Sequence, residues 1–278
     1  MNYGPKPWRQ TNWDFRAAFN FIFGGSGAGL LVFVALSGLG GDAMRAEVLL
    51  GMALIGAGLI SVWFEIGRPW RAMNVGFNPF TSWMTRESFA AGAVFALGLA
   101  AAWLASAALA QAAAVAALVF AYCQGRILQA AKGIPSWRLP ALGWLNFTTA
   151  LAEGAGLYVT LAAWFDTPAP GMLAYFSLAL IARGLAWSIY RAGVAKTAAR
   201  PALAALDRAG KLLIQFGSIA PLALLLLGLI AGDVARIAAL LAGAAALATG
   251  WQFKFVLIAR AAYNQGFSLP HLPVRGTR

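Results

Sequence analysis

The chain is predicted to be all-α: a polytopic membrane protein with eight transmembrane helices, built as one integral membrane domain over 1–278. Three observations predict this. Of its 278 residues, 61% are hydrophobic and 11% are charged, against roughly half and a quarter in an average soluble domain. Mean hydropathy is +0.72; a water-soluble core cannot shield so much apolar surface, and intrinsic disorder is excluded for the same reason. The apolar residues also fall in long blocks rich in Ala, Leu and Gly without period-2 alternation, which favours helices over a transmembrane β-barrel.

A hydrocarbon layer of ~30 Å needs about 20 apolar residues per helix. Eight blocks meet this: 17–39, 45–65, 88–109, 111–130, 141–164, 171–192, 211–231 and 234–258. The first follows a polar opening, Met1 to Thr11. That opening lacks a basic segment, a short apolar stretch and a small-residue cleavage site, so the block reads as a span and not a signal peptide. Its run Gly24-Gly25-Ser26-Gly27-Ala28-Gly29 is followed by no Gly-Lys-Ser/Thr and is not a phosphate loop. Gly25 and Gly29 form a GxxxG pair suited to close helix packing; the alternative is room for a flat ring.

The second block should end near Arg68, because Pro69 disfavours helical geometry before it. Glu65 then lies in the last turn, where a carboxylate opposes the helix dipole, and Arg68 or Arg71 would stabilise it. Glu87 falls in the first turn of the third helix, where an acid is favourable. Only Ser106 to Gln111 separate the third and fourth blocks. The fifth carries Glu153 and the sixth Arg183, at matching depths. Segment 199–210 reads as a short amphipathic helix at the interface, and Pro221 should kink the seventh span. Gly51-Met52 and Gly171-Met172 suggest two parallel four-helix halves.

The net charge of +12 is uneven. With an even number of spans, one face collects Lys6, Arg9, Arg16, Arg68, Arg71, Arg86, Arg126, Lys132, Arg138, Arg191, Lys196, Arg200, Arg208, Lys211, Arg260, Arg275 and Arg278. Arg45 and Arg236 are left near the other. The positive-inside rule then puts both termini in the cytoplasm of a bacterial or archaeal inner membrane. Topology accounts for the basic loops, so no nucleic-acid partner is expected; lipids are the surroundings. Trp63, Trp70, Trp83, Trp137 and Trp144 read as interfacial anchors on the basic face, with Trp103, Trp164 and Trp251 nearer the other face or inside the bundle.

Cys123 is the one cysteine and His271 the one histidine. An internal disulfide, a CxxC-type zinc or iron–sulfur site and a bis-histidine haem are therefore excluded, and the chain is expected to bind no haem and no metal.

The connection from Glu65 to Glu87 carries the most chemistry. Its pattern Gly67-Arg68-Pro69-x-Arg71-Ala72, then Asn74, then Thr81-Ser82-Trp83-x-x-Arg86-Glu87 resembles that of polytopic anchor subunits of molybdenum/tungsten iron–sulfur oxidoreductases, the dimethyl sulfoxide reductase anchor and NrfD/polysulfide reductase group. A looser likeness covers Gly125 to Trp137 and Asn146 to Gly154. The resemblance implies a quinone or quinol site (ubiquinone or menaquinone) near the partner-facing side, a docked iron–sulfur electron-transfer subunit, and a separate catalytic subunit holding molybdenum or tungsten. It also implies that Arg68, Arg71, Trp83, Arg86 and Glu87 line or support that site. Many relatives carry His where this chain has Glu65; a carboxylate there can still accept a quinol proton. The motif lies on the basic face, so the partners are expected in the cytoplasm. The opening Asn2-Tyr-Gly-Pro-Lys-Pro-Trp8 and the first helix resemble membrane subunits of the phenylacetyl-CoA:acceptor oxidoreductase type, which implies a coenzyme A thioester as the complex's substrate.

The chemistry is coherent independently of the family. Quinol oxidation needs an apolar slot, hydrogen-bond partners for two oxygens and a titratable group. Glu65 and Glu87 are the candidate catalytic carboxylates, and Asn20 either hydrogen-bonds a quinone carbonyl or links two helices. Charges inside the membrane are costly and default to functional candidates. Glu153 and Arg183 are expected to pair, either locking two helices or forming part of a proton path, while Arg126 and Lys254 should snorkel to the basic face. Two other readings stand beside the quinone anchor. One is a secondary transporter using Glu153 and Arg183, which the lack of clear inverted repeats disfavours. The other is a passive anchor, in which Arg68, Arg71 and Arg86 are topogenic charges or partner contacts.

Overall fold

A computed structural model describes residues 6–66 and 69–266. Arg68, His271, Arg275, Arg278 and the opening 2–5 lie outside the described residues. The helices are α1 (Phe15–Ser37), α2 (Gly41–Trp63), α3 (Trp83–Leu104), α4 (Ala107–Ala130), α5 (Pro140–Phe165), α6 (Pro170–Val194), α7 (Arg200–Ile214), α8 (Ala220–Ile230) and α9 (Ala235–Phe255). A π-helical turn, Gln215–Ile219, joins α7 and α8 into one crossing. Among the described residues, seven spans are long and apolar enough to cross a membrane. The eighth crossing is α5, of 26 residues. Its lower apolarity comes from Asn146, Glu153 and its threonines, and the bundle tolerates them because α5 packs on α1, α4, α6 and α9 and not mainly on lipid.

Each half repeats one packing pattern. α1 packs on α2 and α4 while α3 pairs with α4; α5 packs on α6 and α9 while α8 pairs with α9. The first helices of the halves, α1 and α5, meet at the centre. There the backbones touch: a Cβ on Gly29 would sit 2.2 Å from the Ala150 carbonyl oxygen. The glycine run of α1 is therefore a packing surface. The Gly-Met pairs are not the equivalent positions of the two halves. Gly51 lies well inside α2, packed on the Gly27 carbonyl, whereas Gly171 stands in open space at the start of α6.

Several boundaries move. α2 ends at Trp63, so Glu65 lies beyond the helix, its N–H donating to the Val62 carbonyl. α3 starts at Trp83, capped by the Ser82 hydroxyl, which places Glu87 past the first turn. The turn between α3 and α4 shrinks to Ala105, left-handed at φ 49°, and Ser106, which caps α4. Segment 199–210 is not a separate interfacial helix. It runs continuously into the seventh crossing, because Gly210 fits against the Trp187 indole and no residue breaks the chain there. Trp137 is likewise not an interfacial anchor: it is 2% exposed and its indole donates to the Leu257 carbonyl.

Candidate functional site

A cavity of about 440 Å³ opens among the basic-face ends of α1, α2 and α3, beneath the 3-10 segment Pro69–Phe77. Its walls are mostly apolar, including Phe21, Leu59, Ile66, Val75 and Met84, with Ala72 and Val75 supplied by the covering segment. That segment is fastened to α3 by the Thr85 hydroxyl, which donates to the Val75 carbonyl.

Two polar residues from the sequence reading, Asn20 and Glu87, line this cavity together. They lie on α1 and α3 and are both buried. Glu87 shares hydrogen bonds with the side chains of Asn20 and Gln124, and the Gln124 amide donates to the Asn20 backbone carbonyl at 2.9 Å. Glu87 Oε1 and Asn20 Oδ1 nevertheless have no partner. Unsatisfied buried oxygens are expensive and rare, and two at one apolar cavity mark a place for a ligand that can meet them. Gln124 escaped the sequence reading; an amide inside the apolar block 111–130 was the available signal.

The other residues of the connection surround the cavity without lining it. Arg86 braces the loop, its guanidinium donating to the Pro79 carbonyl at 2.8 Å and the Phe80 carbonyl at 2.7 Å. Its charge and that of Arg126 both lie over the Trp83 ring, at 4.2 and 4.3 Å from the centroid. Arg126 also donates to the Tyr122 hydroxyl, so it is held by aromatic faces and does not simply snorkel. Trp83 lines a smaller adjoining cavity of about 360 Å³. Arg71 is exposed. Among the described residues, Arg16, and not Arg71, is the cation near Glu65: it pairs with the α1 cap Asp14 and donates to the Phe64 carbonyl. Burial pushes the Glu65 carboxyl up to about 7, Asp14 adds to the rise, and Arg16 opposes it. The Arg16 hydrogen bond holds the Asp14 carboxyl below its usual range.

The expected Glu153–Arg183 pair does not form. Glu153 pairs with Lys254 at 2.7 Å, and both side chains are fully enclosed. Lys254 therefore does not snorkel; it also donates to the Phe21 carbonyl. The Ser26 hydroxyl donates to Glu153 and in turn accepts from the Trp251 indole. Glycines make the space: a Cβ on Gly25 would lie 2.3 Å from Lys254 Nζ, and one on Gly250 would lie 2.6 Å from Glu153 Oε1. Arg183 instead donates to Ser218 and to the Gly217 and Ala246 carbonyls. Pro221 explains one of these. Its missing N–H cannot serve Gly217 four residues earlier, so the guanidinium takes that carbonyl, and a π turn, Gln215–Ile219, leads into Pro221.

Residues 12–259 match the family model of the DMSO reductase anchor subunit (DmsC). No curated protein matches the chain.

Proposed function

The chain belongs to the DMSO reductase anchor subunit family, and from that premise we propose that it is the quinone-reactive subunit of its complex. Membership makes it a membrane anchor of an oxidoreductase complex, associated with catalytic and electron-transfer subunits. The observation that carries the quinone reading is the apolar cavity on whose wall Glu87 and Asn20 each keep an unpartnered oxygen. A quinone exchanges two electrons and two protons there. The apolar walls take the ring and tail, Asn20 meets a ring oxygen, and Glu87 holds or releases the proton at that oxygen. Gln124 and Asn20 orient the Glu87 carboxyl. Glu65, at the rim, passes protons between Glu87 and water, and the Trp83–Arg86–Arg126 stack holds the covering loop.

The iron–sulfur subunit docks on the basic face, over the covering segment. There Trp70, Met73, Phe77 and Phe80 stand 76–89% exposed, a patch that suits a protein partner. The charge bias puts this face and both termini in the cytoplasm, beside a molybdenum or tungsten subunit acting on phenylacetyl-CoA or a similar thioester. The quinone is ubiquinone or menaquinone.

Quinone extraction from the purified complex tests the reading. Wild-type complex should carry quinone, and Ala72→Trp, which fills the cavity from its cover, should lose most of it while the subunits still co-purify. Equal quinone in both would refute the assignment of this cavity.

The Glu65 carboxyl supplies a pH test. With its value near 7 against an ordinary 4.5, the folded protein holds this proton more tightly than the unfolded chain. Its contribution therefore lowers stability as pH rises from about 4.5 through 7, and adds nothing further above that. If Glu65 relays protons, turnover should show a limb near pH 7 that vanishes in Glu65→Gln. A limb unchanged in the variant assigns the titration to another group.

A further inference from the structure

A second cavity, of about 470 Å³, lies on the basic face between α7 and α9, away from the quinone site. Three arginines from three separate segments line it: Arg9, Arg208 and Arg260. Each is fixed by its own element. Arg9 is tied to the exit of α9 by a bridge to Tyr263 and by hydrogen bonds from Gln10 to Ala262 and from Asn264 to Trp8. Arg208 stands on the exposed face of α7. Arg260 ends the π turn that follows α9. The antiparallel register of the two helices, set where Gly217 meets Thr249, puts Arg208 opposite position 258. It is then offset from Arg260 by only two residues, about 3 Å along the axis.

None of these three charges is neutralised by an ion pair among the described residues. Asp207, next to Arg208 in the chain, is turned away and held by Arg191. Deeper along the same groove the lining becomes apolar, through Leu212 and Val256. Leu212 and Arg208 are one turn apart on α7, and Val256 and Arg260 one turn apart on the neighbouring crossing, so both walls run from cation to hydrocarbon in the same direction.

We propose that this groove is a binding site for an anionic phospholipid, its phosphate held by Arg9, Arg208 and Arg260 and its acyl chain lying against Leu212 and Val256. The ligand must carry an anionic head and a hydrocarbon tail at once. A free anion leaves the apolar half bare, and an acidic peptide would bring unsatisfied backbone groups against the apolar Leu212 and Val256. Basic pockets between transmembrane helices on the side of an anionic leaflet have this ligand chemistry. The site would anchor the N-terminal segment to α7 and α9.

The test uses the intact complex, delipidated in mild detergent. Phosphatidylglycerol, phosphatidylcholine and inorganic phosphate are titrated separately, with retained lipid read by native mass spectrometry and stability by thermal unfolding. Phosphatidylglycerol should be retained and should raise the unfolding temperature, while phosphatidylcholine and inorganic phosphate should not. Arg208→Gln with Arg260→Gln should weaken phosphatidylglycerol binding at least about tenfold; both side chains are exposed, and Arg9→Gln serves as an independent second variant. Undiminished phosphatidylglycerol binding in these variants overturns the proposal. So does equal stabilisation by inorganic phosphate, which would make this a free-anion site, or crosslinking of position 208 to another subunit in the native complex, which would make it a protein interface.

Discussion

Replacing Glu87 by Gln is expected to lower quinone turnover by about 10²- to 10⁴-fold, the range that positioned acid–base groups supply. Gln keeps the size of the side chain and can still hydrogen-bond Asn20 and Gln124, the two partners of the carboxyl. Folding and assembly should therefore survive, and what is lost is the ability to take or give a proton at the cavity wall. Glu87 is 6% exposed, Oε1 has no protein partner, and no other carboxylate lines this cavity among the described residues. The measurement is quinol-linked electron transfer by membranes carrying the variant, with co-purification of the other subunits as the assembly control. An unchanged rate in an assembled complex would dismiss the site and leave the passive-anchor reading.

The largest effect on stability should come from Lys254→Met. Met preserves most of the apolar stem but removes the ammonium that pairs with Glu153 at 2.7 Å. Breaking a buried ion pair from one side costs about 3–5 kcal/mol, since the remaining buried charge loses its direct partner. Glu153 would keep only the Ser26 hydroxyl, and Gly250 and Gly25 hold the surroundings too tightly for the helices to rearrange around it. Adding Glu153→Gln to Lys254→Met removes the stranded charge and should recover most of the loss. Thermal unfolding of the purified complex checks both steps; a single variant as stable as wild type would contradict the pair. Turnover of the double variant then separates the two roles left open for Glu153. Unaltered turnover assigns the pair to locking α5 against α9 and α1, and lost turnover assigns it to a proton path.

Much of this protein is legible in its sequence because membrane insertion is a local requirement. Each crossing must be apolar over its own length, so the eight blocks can be read one at a time, and the charge bias of the connections sorts their ends. Even the one helix that falls short in apolarity, α5, was visible as a span. The placement of Glu87 and Asn20 near the same face was readable too, since both sit near helix ends on the basic side. Which polar groups meet inside the bundle was not readable. Depth along a helix comes from counting residues, but the rotation of each helix about its axis does not. Residue counting matches Glu153 in depth with Arg183 and sets Lys254 nearer the basic face, yet the packing chooses Lys254. The close approaches of Gly29 to Ala150 and of Glu153 to Gly250 set how α5 is turned against α1 and α9, which brings Lys254 to the carboxylate. Arg183 is drawn to the carbonyls around Pro221. The same rotation carries Gln124 to Glu87 and gathers Arg9, Arg208 and Arg260 from segments up to about 250 residues apart into one groove. Local hydrophobicity determines that these helices cross; contacts between residues far apart in the chain determine what each polar face meets.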